Sequence, residues 1–139
     1  MNPLEGGRVL ALDPGRVNVG LALSDAEGIT AQGLETFVRG RGSLFDHLQS
    51  IIDEKGVGTL LVGYPLNMDG SAGESARAAE ALAAKLAERF GLPVHLRDER
   101  LSSVGARRAF PPGAKKDWDR IAAIFILQSY LDQLRGGGS

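Results

Sequence analysis

Residues 9–15 read Val-Leu-Ala-Leu-Asp-Pro-Gly, an apolar run that ends in a carboxylate and a turn. Side chains alternate between the two faces of a β-strand, so Val9 and Ala11 share a face with Asp13 and the leucines between them face away. A buried or half-buried carboxylate needs a cation, which favours a metal site at this strand exit. The competing interpretation is that Asp13 only opens the Asp-Pro-Gly turn and accepts hydrogen bonds from backbone N–H groups. Both interpretations remain open on this stretch alone.

A second strand is predicted directly after the turn. Residues 19–25 carry bulky side chains at positions 19, 21 and 23 and small ones at 20, 22 and 24. The segment that joins the two strands contains proline, glycine and asparagine, which is typical of a hairpin. Residues 29–38, which follow Gly28, predict a third strand. The expected result is an antiparallel N-terminal meander.

Two protein superfamilies begin with a similar strand, turn and strand. RNase H-like nucleases bind divalent metal through such an acid, whereas actin-like and sugar-kinase ATPases hold phosphate in a similar hairpin. The chain has 139 residues, enough for one ordinary domain but not for the second lobe that those ATPases need. The later glycine clusters fall in a predicted loop at 70–73 and in a tail at 136–138. We therefore expect one nuclease-like domain over residues 1–135 and a flexible tail over residues 136–139.

Helical and strand patterns alternate after the meander. In chain order the predicted elements cover residues 44–55 (helix), 59–62 (strand), 76–90 (helix), 94–98 (strand) and 118–134 (helix). Ser43 is the expected N-cap of the first helix, and Gly56 follows its end. This order predicts an α/β, RNase H-like fold: a mixed five-stranded sheet, in which two parallel strands join the meander, with helices on both faces.

Composition excludes several classes of function. Hydrophobic residues make up 43% and charged residues 24%, as in an ordinary globular domain, and no apolar stretch approaches the roughly 20 residues of a membrane span. No signal peptide is visible, so we expect a cytoplasmic protein without a membrane partner. The absence of cysteine excludes disulfides and thiolate zinc sites. Carboxylate ligands favour Mg²⁺ or Mn²⁺ over zinc.

Basic residues concentrate in one part of the chain, although the net charge is only −1. Within residues 97–116 lie six of them: Arg97, Arg100, Arg107, Arg108, Lys115 and Lys116. The same stretch contains only Asp98 and Glu99 as acids. Phosphodiester substrates need cations to position the backbone and carboxylates to hold metal, so this mixture favours nucleic acid as the partner. The competing interpretation is a solvated helix face.

Three groups of acids stand at the ends of predicted elements: Asp13, the pair Asp98 and Glu99, and the pair Asp117 and Asp119. Their convergence would build a metal site. Asp98 and Glu99 could instead pair with neighbouring arginines on the surface. One acid of the last pair could cap the final helix and interact with its dipole.

Four motifs occur in order along nearly the whole chain: Leu-Ala-Leu-Asp-Pro-Gly-Arg-Val-Asn-Val-Gly at 10–20, Val-Gly-Tyr-Pro-Leu-Asn-Met-Asp-Gly at 62–70, Asp-Glu-Arg-Leu-Ser-Ser at 98–103, and the run from Lys115 to Asp132. Together they resemble the YqgF/RuvX family, the RNase H-like relatives of the Holliday-junction resolvase RuvC. The resemblance implies a bacterial cytoplasmic nuclease that uses Mg²⁺ or Mn²⁺. Its expected function is processing of the 5′ end of pre-16S rRNA, cleavage of Holliday junctions, or both.

The family's acidic positions fall on Asp13, on Asp98 to Arg100, and on Asp119. Adjacent strand residues face opposite ways, and Asp98 shares a face with Val94 and Leu96, so Glu99 is the preferred second acid. The implied catalytic and metal-binding set is therefore Asp13, Glu99 and Asp119, with Asp98 or Asp117 as a further candidate ligand. Two positions depart from the usual pattern, Pro14 and Asp117, and the second leaves the third ligand open between Asp117 and Asp119.

Nucleic acid is the expected partner, as structured RNA or as branched or single-stranded DNA. The residues expected to contact it are Arg16, Asn67, Arg100, Arg107, Lys115 and Lys116. We expect the proline-containing segment before Lys115 to move when free and to settle on phosphate. A monomer or a weak homodimer is expected. A non-catalytic ribosome-assembly factor with the same fold is the alternative function. A nucleotide-dependent phosphotransferase would need an ATP site that the sequence lacks.

Overall fold

A mixed β-sheet forms the centre of the computed structural model, which describes residues 6–65, 69–98 and 118–137. Its strands are β1 (Arg8–Pro14), β2 (Asn18–Ser24), β3 (Ala31–Gly33), β4 (Phe37–Val38), β5 (Val57–Tyr64) and β6 (Val94–Asp98). The order across the sheet is β3-β2-β1-β5-β6, and β4 also pairs with β2. The N-terminal strands pair antiparallel, whereas β1–β5 and β5–β6 are parallel. The predicted combination of a meander with two parallel strands is confirmed.

The third predicted strand, over residues 29–38, is divided in the structure. Gly33 of β3 pairs with Ala22, and Phe37 of β4 pairs with Val19. From Gly33 to Phe37 the chain advances by four residues, whereas the paired stretch of β2, from Ala22 back to Val19, covers only three. The one unmatched residue interrupts the ladder as a bulge does. The expected strand becomes two short ones on the same neighbour.

Helices cover both faces of the sheet, as predicted. They are α1 (Leu44–Lys55), α2 (Glu74–Phe90) and α3 (Trp118–Asp132), and the segment Gln133–Gly137 that follows α3 contains a kink at Gly136, where φ is 94°. Leu10 and Leu12 of β1 pack in the cluster that contains buried side chains of α1 and α2. Val9 and Ala11 pack in the cluster that contains α3. The strand alternation expected around Asp13 is thus confirmed.

The ends of α1 follow the signals in its sequence. The N–H of Asp46 donates to the Ser43 Oγ at 3.2 Å, which satisfies one N–H of the first turn. Gly56 adopts a φ of 68° directly after the helix, and its N–H donates to the Ile52 carbonyl. Such a left-handed residue suits glycine because it has no Cβ. The predicted start and end of this helix are therefore confirmed.

Helix α3 forms hydrogen bonds with residues at both edges of the sheet. On one side the Gln128 amide accepts from the Ala31 N–H at 3.0 Å and donates to the Ile29 carbonyl at 2.8 Å. On the other side Arg97 of β6 donates to the Ser129 Oγ at 2.7 Å. These contacts hold the helix across the strands that carry the acids. None of the helices in the three described ranges combines the length and the hydrophobicity of a transmembrane segment.

Candidate active site

Asp13 lies at the exit of β1, where the sheet changes to the hairpin turn. The residue is half-buried, and its partner in the antiparallel ladder is Gly20 of β2. Residues directly opposite each other in such a ladder project from the same face, with Cα atoms about 4.5–5.5 Å apart. Val9 and Ala11 place this face on the side of α3. The Asp13 carboxylate therefore projects towards the face that α3 covers.

The first turn of helix α3 packs directly against Gly20. A Cβ atom at Gly20 would lie 1.8 Å from the Asp119 carbonyl oxygen and 2.8 Å from the Arg120 nitrogen. A Cβ at Gly15 would lie 3.5 Å from the Asp119 Oδ1 atom. The first turn of α3 thus rests on the backbone of the β1–β2 hairpin, and the absent side chain at position 20 permits that approach. Asp119 is brought beside the ladder pair that contains Asp13.

The environment of Asp119 disfavours its negative charge. Burial raises the pKa of its carboxyl group, and a hydrogen bond from the Asn18 side chain lowers the pKa by a smaller amount, so the net direction is upward. Desolvation disfavours the charged form, and an amide donor stabilises it. A cation beside this carboxylate would offset the cost of burial.

The turn between β1 and β2 is fixed by backbone and arginine contacts. The Gly15 N–H donates to the Asn18 carbonyl at 2.8 Å. Arg39 donates its backbone N–H to the Val17 carbonyl and its Nε–H to the Gly15 carbonyl, both at 2.8 Å. Arg16, one of the expected nucleic-acid contacts, is exposed on this turn, and the Val17 side chain beside it is 64% exposed.

Arg39 was not among the residues expected from sequence. The signal for it lies in the meander itself, because the return of residues 37 and 38 to β2 brings the next residue beside the hairpin turn. The uncertain course of the third strand concealed this neighbour.

Asp98 ends β6 on the opposite face from Asp13. The His95 ring lies 6.1 Å from the Tyr130 ring of α3, and Arg97 donates to the side chains of Ser129 and Gln133. Odd-numbered residues of β6 therefore face α3, and alternation turns Asp98 away. In the parallel ladder Asp98 pairs with Tyr64, so β6 ends at the same edge of the sheet as β1. The structure brings Asp13 and Asp119 together and directs Asp98 elsewhere.

The other expected site residues lie outside the described ranges. They are Asn67, Glu99, Arg100, Arg107, Lys115, Lys116 and Asp117. Within the described ranges no group of three His, Asp or Glu side chains could hold a metal ion. Among the described acids, Asp13 pairs with Gly20 in the ladder, and the backbone of Asp119 lies over Gly20.

A family model described as "RuvX: Holliday junction resolvase" matches residues 7–133. A protein of Geobacillus thermodenitrificans named "Putative pre-16S rRNA nuclease" is 49% identical over 137 residues, which covers 92% of this chain and 99% of the relative. A protein of Desulfitobacterium hafniense with the same name is 42% identical over 134 residues, which covers 92% of this chain and 94% of the relative.

Solved structures of Thermus thermophilus RuvC share the fold. RuvC in complex with a Holliday junction substrate has a TM-score of 0.58 and 15% identity, over 93% of this chain and 96% of RuvC. RuvC in a second structure has a TM-score of 0.57 and 13% identity. The fold expected from the sequence is thereby confirmed. Since the family model and the relatives both extend over most of its length, this chain belongs to the RuvX family.

Proposed function

We propose that the chain is a divalent-metal-dependent nuclease that hydrolyses phosphodiester bonds at the 5′ end of pre-16S rRNA, in branched DNA, or in both. The observation that carries the proposal is the approach of Asp119 to Asp13 across the backbone of Gly20. Burial disfavours the charge of the Asp119 carboxylate, and a cation at this strand exit would offset that cost. The names of the relatives and the family support a nuclease.

Mg²⁺ or Mn²⁺ fits the available donor atoms. Carboxylate oxygens are the ligands that both ions prefer. Burial of Asp119 raises the pKa of its carboxyl group, so a cation there would stabilise the ionised form. Such ions, when bound, activate water for in-line attack on phosphorus and offset the charge of the leaving 3′ oxygen. Asp13 and Asp119 would hold them, and Asn18 would orient the Asp119 carboxylate.

Glu99 is proposed as the third carboxylate, with Asp98 or Asp117 as the alternative. Asp98 ends β6 on the face away from α3, so alternation favours the next position for a residue that joins Asp13. The contacts of Asp119 with Gly20 and Asn18 favour Asp119 over Asp117 as the acid of the last helix.

Basic and polar side chains around the acids would position the nucleic acid. Arg16 is exposed on the turn that follows Asp13, and we propose it as a contact to a phosphate next to the reacting one. Asn67, Arg100, Arg107, Lys115 and Lys116 are proposed as further contacts. Phosphate contacts fix the register of the substrate, and they make binding dependent on salt. A cytoplasmic location and a monomer or weak homodimer stay predictions.

The test is cleavage of defined substrates by the pure protein. End-labelled RNA that spans the 5′ precursor region of 16S rRNA, single-stranded DNA and a four-way DNA junction are incubated with Mn²⁺, with Mg²⁺ or with EDTA. We expect cleavage of at least one substrate with metal and none with EDTA or with the variant Asp13→Asn. Tight binding without cleavage under every metal condition would contradict the proposal and favour the non-catalytic assembly factor.

A further inference from the structure

A groove of about 940 Å³ opens beside the hairpin turn, on the face of the sheet that α1 and α2 cover. The turn contributes Pro14, Gly15 and Arg16, and Arg39 lies next to them. The start of α1 and one side of α2 complete the walls. Because Asp13 faces α3 and the next residue lines this groove, the groove meets the acid pair at the strand exit.

The described residues that line the groove carry a net positive charge. They include three exposed cations, Arg16, Arg39 and Lys85, and one acid, Glu74. The bond from Arg39 Nε to the Gly15 carbonyl holds that guanidinium at the boundary with the acid pair. In the described part of the chain, neither Arg16 nor Lys85 forms an ion pair. These cations are available to anionic groups of a ligand.

The floor of the groove is apolar. Leu44 and Phe45 of α1 and Ala78 and Leu82 of α2 line the same groove as the cations. Single-stranded nucleic acid presents the matching combination, because its phosphates bind cations and its bases pack on apolar and aromatic surfaces. The volume is that of a small-ligand pocket, which a few nucleotides of one strand would fill.

Arg89 lies near the groove but, unlike the three cations that line it, has a structural role. Arg89 forms an ion pair with Asp46 at 3.3 Å and lies over the rings of Phe45 and Phe90, 5.8 and 5.9 Å from their centroids. Its charge is already balanced, and its contacts join α1 to α2. It does not line the groove.

We propose that this groove binds a single-stranded segment of the nucleic acid on one side of the cleaved phosphodiester bond, with Arg39 and Lys85 as phosphate contacts. The inference rests on the proposed nuclease function. It adds a binding surface on the face of the sheet opposite α3, and it commits the substrate to an unpaired strand beside the reacting phosphate.

The first test changes the charge inside the groove. Lys85→Gln removes one cation, and Lys55→Gln is the matched control, since Lys55 lies at the other end of α1, about 16 Å along the helix from Leu44. Binding of a fluorescent single-stranded oligonucleotide is titrated over a range of salt, with Ca²⁺ to prevent cleavage. We expect the slope of log K against log salt to become shallower by about 0.7 for Lys85→Gln and to stay unchanged for Lys55→Gln. An unchanged slope for Lys85→Gln would overturn the proposal.

A second pair of variants adds a charge without removing a cation. Ala78→Glu places a carboxylate on the floor of the groove, whereas Ala84→Glu places it on an exposed part of α2 outside the groove. We expect at least tenfold weaker oligonucleotide binding for Ala78→Glu and a change below twofold for Ala84→Glu. Equal effects of the two variants would contradict the groove, provided that both keep the parent's thermal midpoint by circular dichroism.

The outcomes separate the two proposals. If the parent cleaves a substrate with metal but the groove variants bind like their controls, the groove proposal fails and the nuclease stands. If the groove variants lose binding but the parent cleaves nothing, the surface binds nucleic acid and the nuclease proposal fails. Preference of the parent for a duplex over a single strand, with no difference between variants and controls, would also overturn the groove.

Discussion

The side-chain amide of Asn18 hydrogen-bonds the carboxylate of Asp119, and this contact opposes the effect of burial on the same group. Asn18 opens β2 and Asp119 lies in the first turn of α3. The hairpin that places Asp13 therefore also contacts the acid on the helix and partly offsets the effect of burial on its pKa.

Removal of the Asn18 amide should move the pH dependence of catalysis. Without this hydrogen bond the pKa of Asp119 rises further. If ionised Asp119 is required, the acidic limb of the pH–rate profile of Asn18→Ala shifts to higher pH, and activity near pH 9 approaches the parent's. Gln49→Ala is the control, because Gln49 donates to Asp53 in the same kind of pair on α1, away from the site. A profile of Asn18→Ala that coincides with that of Gln49→Ala would contradict the role of Asn18.

Asp119→Asn should stabilise the metal-free protein at neutral pH. Burial raises the folded-state pKa of Asp119 above its usual value, so the folded state binds the proton more tightly than the unfolded chain. This contribution to stability is fully present below about pH 3.9 and is lost as the pH rises through the folded-state pKa. We expect urea unfolding with EDTA to show a more stable variant at pH 7 and equal stabilities near pH 3.

Divalent metal should reverse that order, since binding to the folded parent adds stability that the variant cannot gain. A variant less stable than the parent at pH 7 in EDTA would show that the charge of Asp119 is favourable without metal.

Asp13→Asn should abolish metal-dependent cleavage and leave folding nearly intact. The substitution keeps the size of the side chain and removes the charge that a cation requires. Cleavage is measured on whichever substrate the parent cuts, and unfolding by urea checks the fold. Turnover at the parent's rate would remove Asp13 from the active site.

Gly20→Ala should destabilise the fold and impair cleavage together. The added Cβ would lie 1.8 Å from the Asp119 carbonyl oxygen, a backbone atom that moves only if the start of α3 moves. Forced overpacking of this kind costs about 1–3 kcal/mol of unfolding free energy. Gly6→Ala is the control, since no atom lies within 4 Å of a Cβ there. Equal urea midpoints for the two variants would contradict the close approach of α3 to β2.

Glu99→Gln should reduce cleavage more than Asp98→Asn. The prediction follows from the contacts of His95 and Arg97 with α3, which assign the odd positions of β6 to the face of Asp13. Both variants are compared at saturating Mn²⁺ on one substrate. The reverse order would mean that the alternation of β6 does not continue past Asp98.

The sequence predicted secondary structure well where one local signal is sufficient, such as the alternation of a strand or the cap of a helix. The alternation at Val9, Ala11 and Asp13 and the caps at Ser43 and Gly56 appear in the structure as expected. The bounds of β5 differ: the predicted strand 59–62 extends to Val57–Tyr64. A central strand takes its length from its two neighbours, which a short window of sequence does not contain.

Relationships between distant residues were harder to predict. The small residue at position 20 was recognised, but its reason, the backbone of Asp119 above it, joins residues about 100 positions apart. The division of the third strand depends on its register with β2, which the sequence of 29–38 alone leaves open. Arg39 was missed for the same reason. The alternation of β6 needs only its local period and holds as far as Asp98, whereas the choice of Glu99 over Asp98 as the second acid stays a prediction.

The contacts of α3 have a consequence for how the chain length can vary in related sequences. Asp119 lies at the hairpin and Gln128, nine positions later, holds the Ile29–Ala31 backbone. One inserted or deleted residue between them would rotate one contact by about 100° relative to the other. The helix could then keep its place on the sheet or its acid beside Asp13, but not both. Insertions and deletions in this lineage should therefore spare residues 119–128, while substitutions there remain possible.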